Sequence, residues 1–229
     1  NNEFIDYILA LCPIILGYAD ADVDQAIREQ LDKGIIFSLG SPLEVELSEK
    51  VVELIPCAEK VRFEKNGSDV TAGAVRLARA FTGRERVAVC GYHGWHDWFI
   101  GTTPKNLGVP TSVQNLTDTF SFNKSKTLEN LLQRNQDTYA AIILEPAGAE
   151  SPTVEFLTEV RRLATEHKVV LIYDEIVTGF RMNIGGAQAE YGVTPDLACF
   201  GKSMANGMPI SALVGRSDIM DWMEKVFVS

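Results

Sequence analysis

Short, largely apolar runs recur along the chain and alternate with segments whose apolar residues fall three or four apart. The runs lie at residues 60–63, 86–90, 139–144, 168–173 and 197–200, with a further one at 210–214, each bounded by turn or helix signals. Such runs suit strands of a parallel sheet covered on both faces, because a strand with one wet face would alternate. Residues 20–33 (DADVDQAIREQLDK) put Val23, Ile27 and Leu31 on one helical face, with Gly34 as a stop. Further helices are expected at 43–54, after Ser41 and Pro42, and at 69–82, 128–135 and 153–167. The opening residues, 1–11, read as a strand. Strands alternating with helices, without repeats, predict one α/β domain with a mainly parallel sheet and helices on both faces.

Residues 95–125 break this rhythm. They are long, polar and interrupted by Gly and Pro, and loops of that length in compact domains are usually functional. Two Trp and one Phe near the start predict a packed flap.

Composition changes the picture little. The 229 residues suffice for one sizeable core, and 46% hydrophobic with 23% charged residues is an ordinary globular balance. A formal net charge of -10 argues against a nucleic-acid partner, which needs clustered Lys and Arg. Cys12, Cys57, Cys90 and Cys199 are far apart in apolar surroundings, so reduced, buried thiols are expected. Residues 7–16 are too short to span a bilayer and follow Glu3 and Asp6 rather than a basic region. A cytoplasmic enzyme without a membrane partner is the expectation.

The candidate chemistry stands at the strand ends. In open parallel sheets, ligands bind outside the carboxyl ends of the strands. Lys202 follows LACFG, Asp174 ends VVLIYD, Glu145 ends YAAIIL, Tyr92 and His93 follow RVAVCG, and Gly67 and Ser68 open a helix after VRFEKN. A helix N-terminus offers amides and a positive dipole end to an anion, and glycine lets a phosphate come close. An aromatic ring stacks on a flat cofactor. A buried carboxylate needs a cation, and a protonated pyridine nitrogen is one. For Asp174 a helix cap or an ion pair with Arg181 is the structural alternative. Ile176, two residues on, would face the same side as Asp174 if the strand continues. An amine at Lys202 can attack an aldehyde and afterwards move a proton. These are the parts needed to hold pyridoxal phosphate (PLP). His93 and His96 are three apart, but no third ligand has suitable spacing, so no metal is expected. A nicotinamide oxidoreductase would need a GxGxxG turn after the first strand, which the chain lacks.

Five motifs in order then carry a resemblance. VRFEKNGSDVTAGAVRLARAFTGR, the YHG beginning at Tyr92, the EP at Glu145, DEIVTGFR from Asp174 and FGKSMANGMP around Lys202 resemble class III aminotransferases, with glutamate-1-semialdehyde aminomutase-like members nearest. The resemblance covers nearly the whole chain. It implies a fold-type-I, aspartate-aminotransferase-like large domain spanning 1–229, and amino-group transfer through a lysine aldimine. It makes Lys202 the Schiff-base lysine and Asp174 the partner of the pyridine nitrogen. Tyr92 and Ile176 would cover the two ring faces, and Asn66, Gly67 and Ser68 would hold the phosphate. Glu145, Glu150 and His93 are placed on the substrate side.

Two departures are visible. Family members commonly show Ser-Gly-Thr-Glu-Ala where this chain has Asn66-Gly67-Ser68-Asp69-Val70, and Glu150 stands near the place of an aminomutase asparagine. The alternatives are therefore an aminotransferase acting on a keto or amino sugar, or a PLP-binding scaffold without turnover. Family members also carry an N-terminal segment and a C-terminal small domain, so the chain reads as a truncated large domain. The partners implied are a small-molecule amino donor, a carbonyl acceptor and a second copy of the chain, in a homodimer with a shared active site.

Overall fold

The computed structural model describes residues 2–226. Helices α1 (Ala21–Leu31) and α2 (Pro42–Leu54) precede strand β1 (Lys60–Glu64), helix α3 (Gly67–Thr82) and strand β2 (Arg86–Cys90). Two single-turn helices, α4 (Asp97–Ile100) and α5 (Thr111–Gln114), lead to a short strand β3 (Thr117–Thr119). Helix α6 (Ser125–Arg134), strand β4 (Tyr139–Leu144), helix α7 (Val154–Glu166) and strand β5 (Val170–Asp174) follow. The chain continues through α8 (Gly186–Tyr191), β6 (Leu197–Phe200), a 3-10 turn at Lys202–Ala205, β7 (Ser211–Gly215) and α9 (Ser217–Met220).

The strands form one seven-stranded sheet in the order β1-β7-β6-β5-β4-β2-β3. Strands β3, β2, β4, β5 and β6 pair in parallel, while β7 runs antiparallel to both β6 and β1. Strand β1 thus points the same way as the parallel set, and the sheet is mainly parallel as expected. Alternate residues divide between two cores. Ala88, Cys90, Ile142, Leu144, Leu171 and Tyr173 pack under α2, α6 and α7. Val87, Val89, Ala141, Ile143, Val170 and Ile172 pack under α3 and α9. Burial of every residue of β4 and β5 explains why the sequence shows apolar runs instead of alternation.

Local signals set the helix ends. Thr153 Oγ1 accepts the Phe156 amide at the start of α7, and left-handed Gly83 (φ 68°) closes α3. Helix α3 begins at Gly67, two residues before its expected start, and α8 is an element the periodicity did not reveal.

The opening run is a correction. Asn1 lies outside the described residues, and 2–11 form no strand. Asp6 Oδ1 accepts the amides of Ile8 and Leu9, and Leu9, Ala10, Leu11 and Cys12 all take left-handed φ values, from 52° to 77°. A chain turned by its own aspartate cannot extend along a sheet edge. The 95–125 segment is a packed flap, as expected: Trp98 and Phe99 are buried in the α3-side core, and Thr117 Oγ1 donates to the Trp98 carbonyl. It also holds β3, which the polar residues Thr117-Asp118-Thr119 disguise. Among the described residues, no helix is long and apolar enough to cross a membrane.

Candidate active site

The carboxyl ends of β2, β4, β5 and β6 meet the start of α3 around a cavity of about 370 Å³. Lys202, Asp174, Glu145, Tyr92, His93, Ile176, Asn66, Gly67 and Ser68 all line it. Only Glu150, among the expected site residues, stands apart. It is exposed, and its Oε1 accepts Asn123 Nδ2 at 2.8 Å in the loop before α7. Asn123 holds it outside this cavity.

Asp174 is 3% exposed. Its Oδ2 lies 2.8 Å from His93 Nδ1, and its Oδ1 accepts the Ile176 amide at 3.2 Å. The two groups share one hydrogen bond, in which Nδ1 donates wherever the carboxylate is ionised. His93 both lines the cavity and meets Asp174. Its ring is stacked on Trp98 at 6.3 Å and meets Phe99 edge-on at 5.2 Å. The ion pair with Arg181 does not form; Arg181 Nη2 donates instead to the Cys12 carbonyl and to Ser203 Oγ. Strand β5 stops at Asp174, so Ile176 reaches the cavity through a turn and not by strand continuation.

Ile176 sits against two glycines. A Cβ on Gly67 or Gly201 would come within 3.1 Å of its Cδ1. Those bare positions let the branched side chain lie close against both backbones at the cavity wall. At the head of α3, Asn66 Nδ2 turns to Asp69 Oδ2 at 2.8 Å, and the Asn66 carbonyl is held by Ser211 Oγ at 2.9 Å. The first amides of α3 have no acceptor within the helix and are available to an anion. Ser68 Oγ accepts the Trp95 amide at 3.3 Å.

Tyr92 keeps 59% of its surface exposed, with its ring edge-on to Phe99 at 5.5 Å. Its amide donates to Glu145 Oε2 at 2.8 Å. Glu145 fits only because Gly91 (φ 111°) lacks a Cβ, which would lie 2.5 Å from Oε2. Burial, then the Asp174 charge, raise the Glu145 carboxyl above the ordinary range; the Tyr92 amide, His93 and Lys202 pull it back. Lys202 follows Gly201 and opens the 3-10 turn with a left-handed φ of 43°.

Sequence reasoning missed Thr71, Gly94, Trp95 and Val177 of this cavity. Thr71 lies one helical turn past Ser68, and its Oγ1 donates to the His93 carbonyl at 2.9 Å, tying α3 to the β2 loop. The i, i+3 spacing on α3 was the available signal. Glu175 was passed over as well. Fully buried, it accepts the amides of Ala187 and Gln188 and anchors α8 behind Asp174.

Taken together, free amides at a helix start, an apolar wall at Ile176, a buried carboxylate and an amine fit a planar ring bearing a phosphate and an aldehyde. The model of the family Aminotransferase class-III matches residues 1–226, and the chain belongs to that family. It is similar to the 3-aminobutyryl-CoA aminotransferase of Cloacimonas acidaminovorans, with 42% identity over 100% of this chain and 56% of the relative. It is also similar to the glutamate-1-semialdehyde 2,1-aminomutase of Methanothermobacter thermautotrophicus, at 39% identity over 96% of this chain and 56% of that protein. Among solved structures, the FumI protein of Sphingopyxis sp. MTA144, in its PLP internal aldimine form, superimposes with a TM-score of 0.92. That match is 31% identical and covers 99% of this chain and 56% of the other. An omega-transaminase from Sphaerobacter thermophilus gives 0.87 at 30% identity, over 94% of this chain and 54% of the other. The fold is thus the α/β fold of PLP transaminases. The chain spans about half the length of the curated relatives it matches.

Proposed function

We propose that this chain is the large, cofactor-binding domain of a PLP-dependent aminotransferase, moving an amino group from a small-molecule donor to a carbonyl acceptor or within one molecule. The observation that carries the reading is the meeting of Lys202 and a His93-backed Asp174 in one cavity with the α3 N-terminus. Pyridoxal phosphate is the cofactor; when bound, it supplies an aldehyde for the amine and a protonated ring that withdraws electrons. Gly67 and Ser68, at the first amides of α3, would hold the phosphate, with Asn66 beside them. Ile176 and Tyr92, both lining the cavity, would cover the faces of the ring. Asp174 Oδ2 and Oδ1, fixed by His93 and the Ile176 amide, present a carboxylate to the ring nitrogen. Lys202 would supply the amine that meets the aldehyde, and would hold and move the proton of the exchange. Glu145 borders the substrate side.

The working unit is a homodimer whose second copy completes the site. Support comes from large apolar side chains left exposed, among them Phe4 at 87%, Ile36 at 84% and Leu39 at 84%. We place the protein in the cytoplasm, consistent with four unpaired cysteines.

Paired substitutions test the roles. Lys202→Ala should abolish covalent cofactor attachment. Asp174→Ala should spare attachment and lower turnover by roughly a hundredfold or more. Normal turnover in either variant contradicts the assignment.

A further inference from the structure

The turn that carries Lys202 is poorly held by its own backbone. Within it, the Met204 amide reaches the Gly201 carbonyl at 3.0 Å, and the Asn206 amide reaches Ser203 only at 3.5 Å. Two non-glycine residues, Lys202 (φ 43°) and Asn206 (φ 46°), bracket the turn in the left-handed region. Such residues are disfavoured and persist only where the surroundings over-determine them.

The surroundings here come from the far end of the chain. Asn206 is 8% exposed, and both ends of its side-chain amide are bonded to residues 15–17. Its Oδ1 accepts the amides of Ile15 at 2.9 Å and Leu16 at 3.0 Å, and its Nδ2 donates to the Gly17 carbonyl at 3.1 Å. Ser203 Oγ donates to the Cys12 carbonyl at 3.5 Å, and both accept Arg181 Nη2. Ile14 packs on Gly207 (φ 99°), where a Cβ would lie 2.8 Å from its Cδ1. Residues 12–17 thus cross-link the turn at both ends, over a sequence separation of about 190 residues.

We propose that residues 12–17 are a clamp that fixes the Lys202 turn, with Asn206 and Ser203 as positioning residues for the lysine. The inference rests on the reading of Lys202 as the cofactor-binding amine. The clamp acts by pre-organisation: with the turn fixed, Lys202 Nζ starts close to its reactive position, and without it the amine samples a wider range. The cradle at α3 is separate from the clamp, so cofactor docking and lysine attachment respond differently to its loss.

Asn206→Gly in the full-length protein removes all three side-chain bonds while keeping the left-handed φ accessible. The rate at which pyridoxal phosphate becomes fixed to Lys202 by borohydride, read by peptide mass, is measured against cofactor concentration. The limiting rate should fall about tenfold or more, while the half-saturating concentration changes less than about twofold. Asn206→Asp keeps the acceptor for the Ile15 and Leu16 amides and should recover most of the rate. A limiting rate equal to the parent's in Asn206→Gly overturns the clamp and leaves the function reading intact. A parent protein with no borohydride-fixed label on Lys202 overturns the function reading, and the clamp with it. Should Asn206→Gly fail to fold, hydrogen exchange in the unaltered protein decides. Adding pyridoxal phosphate must slow exchange at the Ile15 and Leu16 amides, and unchanged exchange there overturns the clamp.

Discussion

Asp174 Oδ2 and His93 Nδ1 stand 2.8 Å apart, with the two side chains 4% and 0% exposed. Strand β5 delivers the carboxylate and the loop after β2 delivers the imidazole, so the pair ties together the ends of two strands that β4 separates in the sheet. Removing the histidine strands a buried carboxylate. His93→Ala should therefore cost about 1–3 kcal/mol of stability. His93→Asn, which restores a donor near the Nδ1 position, should recover part of that loss. Thermal unfolding of the two variants separates these outcomes, and an unchanged midpoint in His93→Ala would contradict the pairing.

Gly94 tests the anion cradle. It holds φ 98°, and a Cβ there would collide with Ser68 Oγ and lie 3.0 Å from Ser68 Cα. Gly94→Ala must strain the loop or push the head of α3, at about 1–3 kcal/mol. Displacement of Ser68 should weaken cofactor binding by roughly ten- to a hundredfold. A titration with pyridoxal phosphate showing parental affinity would remove Ser68 from the phosphate site.

Glu145 gives a pH prediction. Burial, followed by the Asp174 charge, raises its carboxyl above the ordinary 4.5. The folded protein then holds this proton more tightly than the unfolded chain. Its contribution to stability is full below 4.5 and is lost as pH rises through the raised value. Glu145→Gln keeps an acceptor for the Tyr92 amide and removes the charge. In cofactor-free protein its unfolding midpoint should exceed the parent's at mildly alkaline pH, and that gain should vanish below pH 4.5. A difference independent of pH would show that desolvation of this carboxylate is not what the substitution relieves.

Much of this was legible in the residues because a two-sided parallel sheet writes its strands as apolar runs and puts its chemistry at their ends. Lys202, Asp174, Tyr92 and Ser68 follow that grammar, and the cavity gathers them. What stayed hidden depends on long-range partners. Nothing near His93 in sequence announces that it faces Asp174, 81 residues on, and Glu150 is drawn away by Asn123, 27 residues back. The opening apolar run misled because a strand needs a neighbour, whereas Asp6 folds this run onto itself. Strand β3 lacked an apolar signature because it is an edge strand of three residues, paired only to β2.

The most direct measurement is the visible absorption spectrum of the full-length protein with pyridoxal phosphate, recorded before and after an amino donor, beside Lys202→Ala. The parent should show a band of lysine-bound cofactor that is lost with the donor and returns with a carbonyl acceptor, while Lys202→Ala shows none. A parent without the band, or a band that survives in Lys202→Ala, would contradict the assignment of Lys202 as the amine that carries the chemistry.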